Sequence, residues 1–413
     1  MDIASPVERN SAPVLFDVDE ERGIFRFSPR VYCDPEFFAR EQRRIFDVSW
    51  LYAGHESEVP LPGDFLTRRV GGRPIIIVRG DDGAIRLFHN SCRHRGATVC
   101  RHARGNAKTF VCFYHNWSYD NEGRLDGVPL RDAYGPGFKT EDLGLLEVRA
   151  QNYRGWLFAC FCRDTEPLED NLAGARAYLD MILDQDEDGN AILPGTHEYS
   201  MRANWKLLME NTVDIYHLNS THGRFLYDYV PKVLGLKTPN PRTAHEGAHK
   251  PQELGNGHAV IEYRKFSGVA DEAKRKSWEE RFGKERATRM LDYTRTLLLF
   301  PNTLYIEQRR VIRTCFPLAP DHAEITAWPL MPAVDDPAVR KQRLDIYLSF
   351  LGPAGHATPD DIEVMELIQK NCATLPEEAL MDCSRGMLRE HPLPTDELQM
   401  RAFWRRWRQL IAQ

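Results

Sequence analysis

Two short stretches carry the residue types that bind metals. Cys92-Arg93-His94 is followed, seventeen residues on, by Cys112-Phe113-Tyr114-His115. A Cys and a His two apart on an extended loop point the same way, and so do a Cys and a His three apart across a tight turn. Two such loops facing each other offer two thiolates and two imidazoles. Zinc accepts that set, since Cys₂His₂ is a common structural zinc shell. The usual zinc pattern pairs Cys with Cys and His with His, however, whereas here each loop supplies one of each. That mixed order suits a two-iron cluster in which one iron takes both Cys and the other both His. Histidine ligation raises the reduction potential over an all-thiolate cluster, so such a centre accepts electrons readily and passes them on. Arg93, Arg95, Arg101, Arg104 and Lys108 make this region basic. That fits either a solvated loop face or a surface that steers in an acidic electron-transfer partner.

A carrier of electrons needs a destination, and a second constellation follows. Over residues 204–217 a helix would place Asp214 and His217 on one face, at i and i+3. His222 lies five residues past His217, about 140° further round an ideal helix. The two meet only where the helix ends or bulges near Asn219. Two His and one carboxylate form the ligand set of non-haem Fe(II) oxygenases, which leaves positions open for O₂ and substrate. The carboxylate must come from elsewhere. Gly352-Pro353-Ala354-Gly355-His356-Ala357-Thr358-Pro359-Asp360-Asp361 reads as a Gly/Pro-rich turn entering a helix. Asp360 is placed to cap that helix and Asp361 to sit in its first turn. Either could ligate; because a cap is already hydrogen-bonded, Asp361 is the expected ligand.

The elements that must position these residues change character along the chain. Residues 50–161 are strand-like, with β-rich runs at 65–70, 74–78, 85–88, 109–112 and 156–161. Turns separate them at 62–64, 71–72, 81–83 and 121–123, where glycine tolerates positive φ. Helices are expected over 35–46, 168–183, 205–217, 337–351, 360–372 and 397–411, with a solvated Arg-rich helix over 274–297. Residues 304–306, 311–317 and 324–330 read as strands of a second sheet, and 232–257, rich in Pro, Gly and His, as a mobile loop. Trp404 and Trp407 in the last helix fall at helical spacing and read as core.

Composition bounds the rest. The 413 residues carry 54 Lys plus Arg against 60 Asp plus Glu, a formal charge of −6. That balance excludes a generic nucleic-acid binder, which needs a basic footprint. Hydrophobic residues at 42% and charged residues at 28% are those of a globular protein. Nine Cys, an odd and modest number, favour reduced thiols or metal ligands in the cytoplasm over a disulfide scaffold. No run approaches the ~20 apolar residues of a membrane span, and residues 1–9 lack the pattern of a signal peptide.

Taken together, the three motifs resemble those of the catalytic α subunits of Rieske non-haem iron aromatic-ring-hydroxylating oxygenases. They are Cys92-x-His94 with Cys112-x₂-His115, then Glu210-Asn211-x₂-Asp214-x-Tyr216-His217-x₄-His222, then Gly352-Pro353-Ala354-Gly355 with Asp360-Asp361. The last segment is similar to the benzoate, anthranilate and p-cumate dioxygenase branch. The resemblance implies an α+β fold: an antiparallel β Rieske domain (48–162) inserted between an N-terminal segment (1–47) and a helix-grip catalytic domain (163–413) with a central antiparallel sheet and flanking helices. It implies a Rieske [2Fe-2S] cluster on Cys92, His94, Cys112 and His115, and a mononuclear Fe(II) on His217, His222 and Asp361. Asp214 would bridge the iron to the cluster of a neighbouring subunit in a homotrimer, with or without a small β subunit.

The implied activity is hydroxylation of an arene with O₂ and NAD(P)H-derived electrons, most simply cis-dihydroxylation of an aromatic carboxylate. Monohydroxylation of salicylate or a related arene, and attack on a neutral arene, are the alternatives. A bare Rieske electron carrier would leave His217 and His222 without a role, and a structural zinc protein would explain the Cys/His quartet without redox chemistry. Neither Gly71-Gly72 nor Gly352-Pro353-Ala354-Gly355 forms G-x-G-x-x-G, so electrons would come from a separate flavoprotein reductase or ferredoxin. A carboxylated substrate calls for a guanidinium, which binds carboxylate in a bidentate fork. Arg313 on the expected strand is the first candidate and Arg309 the second; the competing expectation is a cross-strand ion pair.

Overall fold

The computed structural model describes residues 14–233, 235, 250–265, 272–334, 336–376 and 378–411. Two antiparallel sheets dominate. The first has seven strands in the order Leu51–His55, Trp156–Cys160, Glu147–Tyr153, Ile85–His89, Arg73–Arg79, Asp64–Val70 and Arg104–Asn106. Its inner strand Arg73–Arg79 shows why the run Ile75-Ile76-Ile77-Val78 does not alternate. Ile75 and Ile77 enter the main core of the molecule, while Ile76 and Val78 enter a smaller one with Phe65, Phe110 and Trp117. Both faces are covered, so both need apolar side chains. A three-stranded ribbon, Thr109–Val111, Ser118–Asp120 and Leu125–Gly127, closes the smaller core. The expected turns are present, and Gly123 at φ 85° illustrates the need: a Cβ there would lie 2.5 Å from Phe88.

The second sheet has eight strands. Seven run in the order Asn190–Ile192, His322–Pro332, Val311–Ala319, Thr303–Ile306, Tyr293–Leu299, His258–Arg264 and Lys250–Gly255, and His197–Met201 also pairs with His322–Pro332. The C-terminal helix Leu398–Ile411 packs on its His258–Arg264 end, with Trp404 and Trp407 fully buried as expected. Those two rings lie against Phe16, which ties the N-terminal strands Phe16–Asp19 and Ile24–Phe27 to the C-terminal body. The strand Met381–Asp382 completes that small sheet. Among the described residues no helix is long and apolar enough to cross a membrane.

Several expected elements differ. The helix over 168–183 is two, Leu168–Leu172 and Ala175–Leu183, because Ala173 turns to φ 44° and Gly174 donates to Leu254 O at 2.8 Å. The Arg-rich stretch 274–297 is also divided. Helices Glu272–Phe282 and Lys284–Asp292 lead into the strand Tyr293–Leu299. The loop over 232–257 falls partly outside the described residues, at 234 and 236–249, and its end Lys250–Gly255 is a strand.

Candidate active site

The first constellation sits at the tip of the smaller core. In one loop Cys92 N–H donates to Ala97 O and Gly96 N–H to Cys92 O, both at 2.8 Å. In the other, Cys112 N–H donates to Trp117 O at 2.8 Å and Asn116 takes φ 57°. These pinched loops bury Cys92 and Cys112, at 4% and 1% exposure, and hold His94 and His115 at the surface. The Nδ1 atoms of His94 and His115 lie 3.1 Å apart. Thiols inward and imidazole Nδ1 atoms convergent at the rim is a donor set that fits a [2Fe-2S] cluster with two Cys on one iron and two His on the other. Trp117 stacks on His94, its ring plane within 10° at 4.9 Å. The sequence reading missed Tyr119, whose hydroxyl lies 3.2 Å from Cys92 Sγ and accepts Arg93 N–H at 3.0 Å. Only the strand period, which turns Tyr119 inward, could have signalled it. Of the basic residues, Arg95, Arg101, Arg104 and Lys108 are exposed, but Arg93 folds back onto Gly144 O.

The second constellation depends on a helix that stops early. The expected helix over 205–217 is Trp205–Thr212. Thr212 Oγ1 turns back to Leu208 O, and Asp214 then forms its own turn, with Oδ1 accepting Tyr216 N–H at 2.6 Å. His217 and His222 flank the single helical turn Leu218–Thr221, so the break falls before Asn219 and not at it. Asp214 and His217 still meet: Asp214 Oδ2 lies 3.0 Å from His217 Nδ1.

Asp361 arrives from the other side on the helix Thr358–Cys372. Ala357 occupies the N-cap, so Asp360 is not the cap expected from sequence; both Asp lie in the first turn. The Asp360 side chain is half exposed and 3.9 Å from His222, whereas Asp361 is buried and points inward. The turn before this helix has no room for a side chain at Gly355, where a Cβ would fall 2.6 Å from Phe350 O.

His222 Nε2 and His217 Nε2 converge on Asp361 Oδ1, at 3.1 and 3.5 Å. One ligand atom from each of the three residues lies within 4.8 Å of the others, an arrangement that can hold a metal ion. Asn211 Nδ2 donates to Asp361 Oδ1 at 3.2 Å. Burial acts to lower the His217 pKa, but hydrogen bonds and charge from Asp214 and Asp361 outweigh it and raise it to about 9. Burial likewise acts to raise the Asp361 pKa, and the two imidazoles hold it below the usual carboxylate range instead. Both directions describe a site that favours a cation between these groups. Two imidazole nitrogens and one carboxylate fit a mononuclear iron with open positions.

A cavity of about 750 Å³ opens from this trio. Ile215, Leu218, Phe225, Ile306, Phe350 and Leu351 give it apolar walls. Arg313 lies in its floor at 3% exposure, with Nε and Nη2 buried and without a hydrogen-bond partner. The expected alternative for Arg313 does not occur, since its cross-strand neighbours are Leu304 and Ala327, neither of them acidic. Arg309 also lines the cavity, with its guanidinium 4.3 Å from the centre of the Phe350 ring and its Nε unpartnered.

Comparison with known proteins agrees with this geometry. Residues 49–146 match the model of the Rieske [2Fe-2S] domain, and residues 193–413 that of the ring hydroxylating alpha subunit catalytic domain. Toluate 1,2-dioxygenase subunit alpha of Pseudomonas putida is 33% identical over 391 residues, covering 90% of this chain and 84% of that protein. The anthranilate 1,2-dioxygenase large subunit of Acinetobacter baylyi is 32% identical over 382 residues, covering 86% and 79%. A structure of naphthalene 1,2-dioxygenase from Rhodococcus sp. bound to indole superposes with a TM-score of 0.83 at 28% identity, over 94% of each chain.

Proposed function

The chain belongs to the Rieske-type ring-hydroxylating oxygenase α subunits, and from that premise we propose that its substrate is an aromatic carboxylate, which it cis-dihydroxylates with O₂ and NAD(P)H-derived electrons. The observation that carries this reading is Arg313: a buried guanidinium with unused donors, in the floor of the cavity that holds the metal trio. A buried cation without a counter-charge is costly, and a bound carboxylate removes that cost. When bound, the cluster and the iron supply one-electron transfer and O₂ activation.

In this proposal His217 Nε2, His222 Nε2 and Asp361 Oδ1 hold the iron. Asp214 Oδ2 accepts a hydrogen bond from His217 Nδ1–H, which fixes the ring and leaves the Nε2 lone pair free for the iron. Asn211 orients Asp361. Phe225 and Phe350 keep water from the ring, and Arg313 binds its carboxyl end. Cys92, His94, Cys112 and His115 hold the cluster. The division of the chain into 1–47, 48–162 and 163–413 belongs to the same proposal. So does a homotrimer, with or without a small β subunit, in which Asp214 and the exposed Tyr216 face the cluster-bearing tip of a neighbour. A cytoplasmic reductase or ferredoxin would supply electrons at the basic face around Arg95, Arg101 and Arg104.

A neutral arene is the second reading, favoured by the likeness to naphthalene 1,2-dioxygenase. Turnover of benzoate, salicylate, p-cumate and naphthalene with NADH and a surrogate reductase decides between them. The carboxylate reading expects products from the acids and a loss of roughly 100-fold in kcat/KM in Arg313→Gln, as for a charge-assisted pair of about 3 kcal/mol. Turnover of naphthalene alone would overturn it.

A further inference from the structure

The cavity holds more positive charge than one carboxylate uses. Arg313 and Arg309 both line it, both keep buried unpartnered nitrogen, and no carboxylate is paired with either among the described residues. The acids that share the cavity wall are committed elsewhere. Asp186 is bonded to Arg310, Glu307 to Arg295 and Gln185, and Asp214 and Asp361 to the histidines.

The two guanidinium groups also occupy different places. Arg313 sits in the row of the sheet that contains Leu304 and Ala327, and its charge acts on His197, Tyr199 and Tyr347. Arg309 follows the strand Thr303–Ile306, lies over Phe350, and acts on Tyr263. Beside Tyr263, its cross-strand neighbour Thr294 turns a buried hydroxyl without a partner to the same cavity. Thr294 lies four residues along its strand from Leu298, whose partner Leu304 is beside Arg313, and the Thr296–Ile306 pair lies between, so Arg309 and Thr294 form a second polar position in the cavity wall. A buried donor left unpaired costs stability, and two such positions in one cavity call for two acceptors on one ligand.

We infer that the substrate is an arene bearing two separated acidic groups, a benzene-1,3- or 1,4-dicarboxylate, with one carboxylate on Arg313 and the other on Arg309 and Thr294. This rests on the aromatic-carboxylate reading and names its substrate class. A 1,2-dicarboxylate places both groups on one side of the ring and cannot span the two positions.

Isothermal titration calorimetry on the iron-loaded enzyme, with benzoate, the three benzenedicarboxylates and naphthalene, tests it. The 1,3- or 1,4-isomer is expected to bind at least ~10-fold more tightly than benzoate or the 1,2-isomer, as for one added charge-assisted contact. Arg309→Gln is expected to bring that ratio to within about 3-fold of unity, and Arg309→Lys to restore part of it. Retention of the visible cluster spectrum and of iron in both variants shows that they are folded. Equal affinity for benzoate and every diacid overturns the inference, and so does an Arg309→Gln variant that keeps the full ratio. If only naphthalene binds, the carboxylate reading itself has failed, an outcome distinct from benzoate binding as well as the diacids.

Discussion

Glu41 offers the sharpest structural test, because one carboxylate joins three segments of the chain. It is fully buried at the end of the helix Pro35–Glu41. Its Oε1 accepts from Lys206 Nζ at 2.6 Å and Trp407 Nε1 at 2.7 Å, and its Oε2 from Trp205 Nε1 at 2.8 Å. Lys206 is equally buried; burial lowers its pKa and Glu41 opposes that shift. Glu41→Gln removes the carboxylate bonded to this buried ammonium, and breaking a buried pair from one side costs about 3–5 kcal/mol. Lys206→Met leaves the carboxylate with only the two indole N–H groups and is expected to cost a similar amount. In the double variant both charges are gone, so its loss should fall short of the summed single losses by about 2 kcal/mol. Urea unfolding followed by tryptophan fluorescence reads this as midpoints, which suits a two-sheet cofactor protein better than a two-state free energy. With a slope of about 3 kcal/mol per molar, each single variant should lose about 1 M or more. Single shifts under about 0.3 M, or a double shift equal to their sum, would refute the reasoning. The consequence reaches the site, because Trp205 and Lys206 begin the helix that carries Asn211 and ends just before Asp214.

Two further predictions concern single contacts. His258 is buried, with Nδ1 accepting Phe300 N–H and Nε2 donating to Asn171 O, both at 2.9 Å, and burial lowers its pKa to about 4. A folded pKa below the unfolded value means that the unfolded chain binds the extra proton between pH 6.5 and 4. Stability is therefore complete above about pH 6.5 and falls as pH drops, by about 2 kcal/mol between pH 7 and 5. Thermal midpoints at both pH values should show that slope reduced in His258→Gln; an identical slope would contradict it. Tyr119→Phe removes the hydroxyl 3.2 Å from Cys92 Sγ. A hydrogen bond to a ligand thiolate favours the reduced cluster, so the variant should have a reduction potential lower by about 40 mV, equivalent to ~1 kcal/mol for one electron. Redox titration of the visible spectrum measures it, and an unchanged or higher potential would count against that contact.

The candidate site is more legible in the sequence than some of the elements that carry it. Cys92, His94, Cys112 and His115 are close in the chain on two tight loops, so local spacing alone brings each pair together. His217 and His222 were recognisable as a pair, but the helix end that lets them converge was placed too late. The turn that Asp214 makes with Tyr216 N–H competes with the helix, and propensity alone does not show which wins. Asp361 comes from 139 residues further on than His222, and only its first-turn position is legible; it is the Asp that faces the two histidines, although Ala357 and not Asp360 caps the helix. The strand Tyr293–Leu299 is not legible, because Arg295 looks like solvated surface. It is fully buried instead, bonded to Glu262, Glu307 and the Arg289 carbonyl, and such a buried ionic network has no local signature in the chain. Arg313 was legible as a strand residue, while its lack of an acidic neighbour depends on strand register.

Iron content of His217→Ala and Asp361→Ala, measured beside the visible spectrum, tests the central claim most directly. The wild-type chain should hold about three irons, two in the cluster and one on the trio. Each variant should lose about one iron and all hydroxylation while keeping the [2Fe-2S] absorption unchanged. Three irons retained in either variant would contradict the assignment of the mononuclear site to His217, His222 and Asp361.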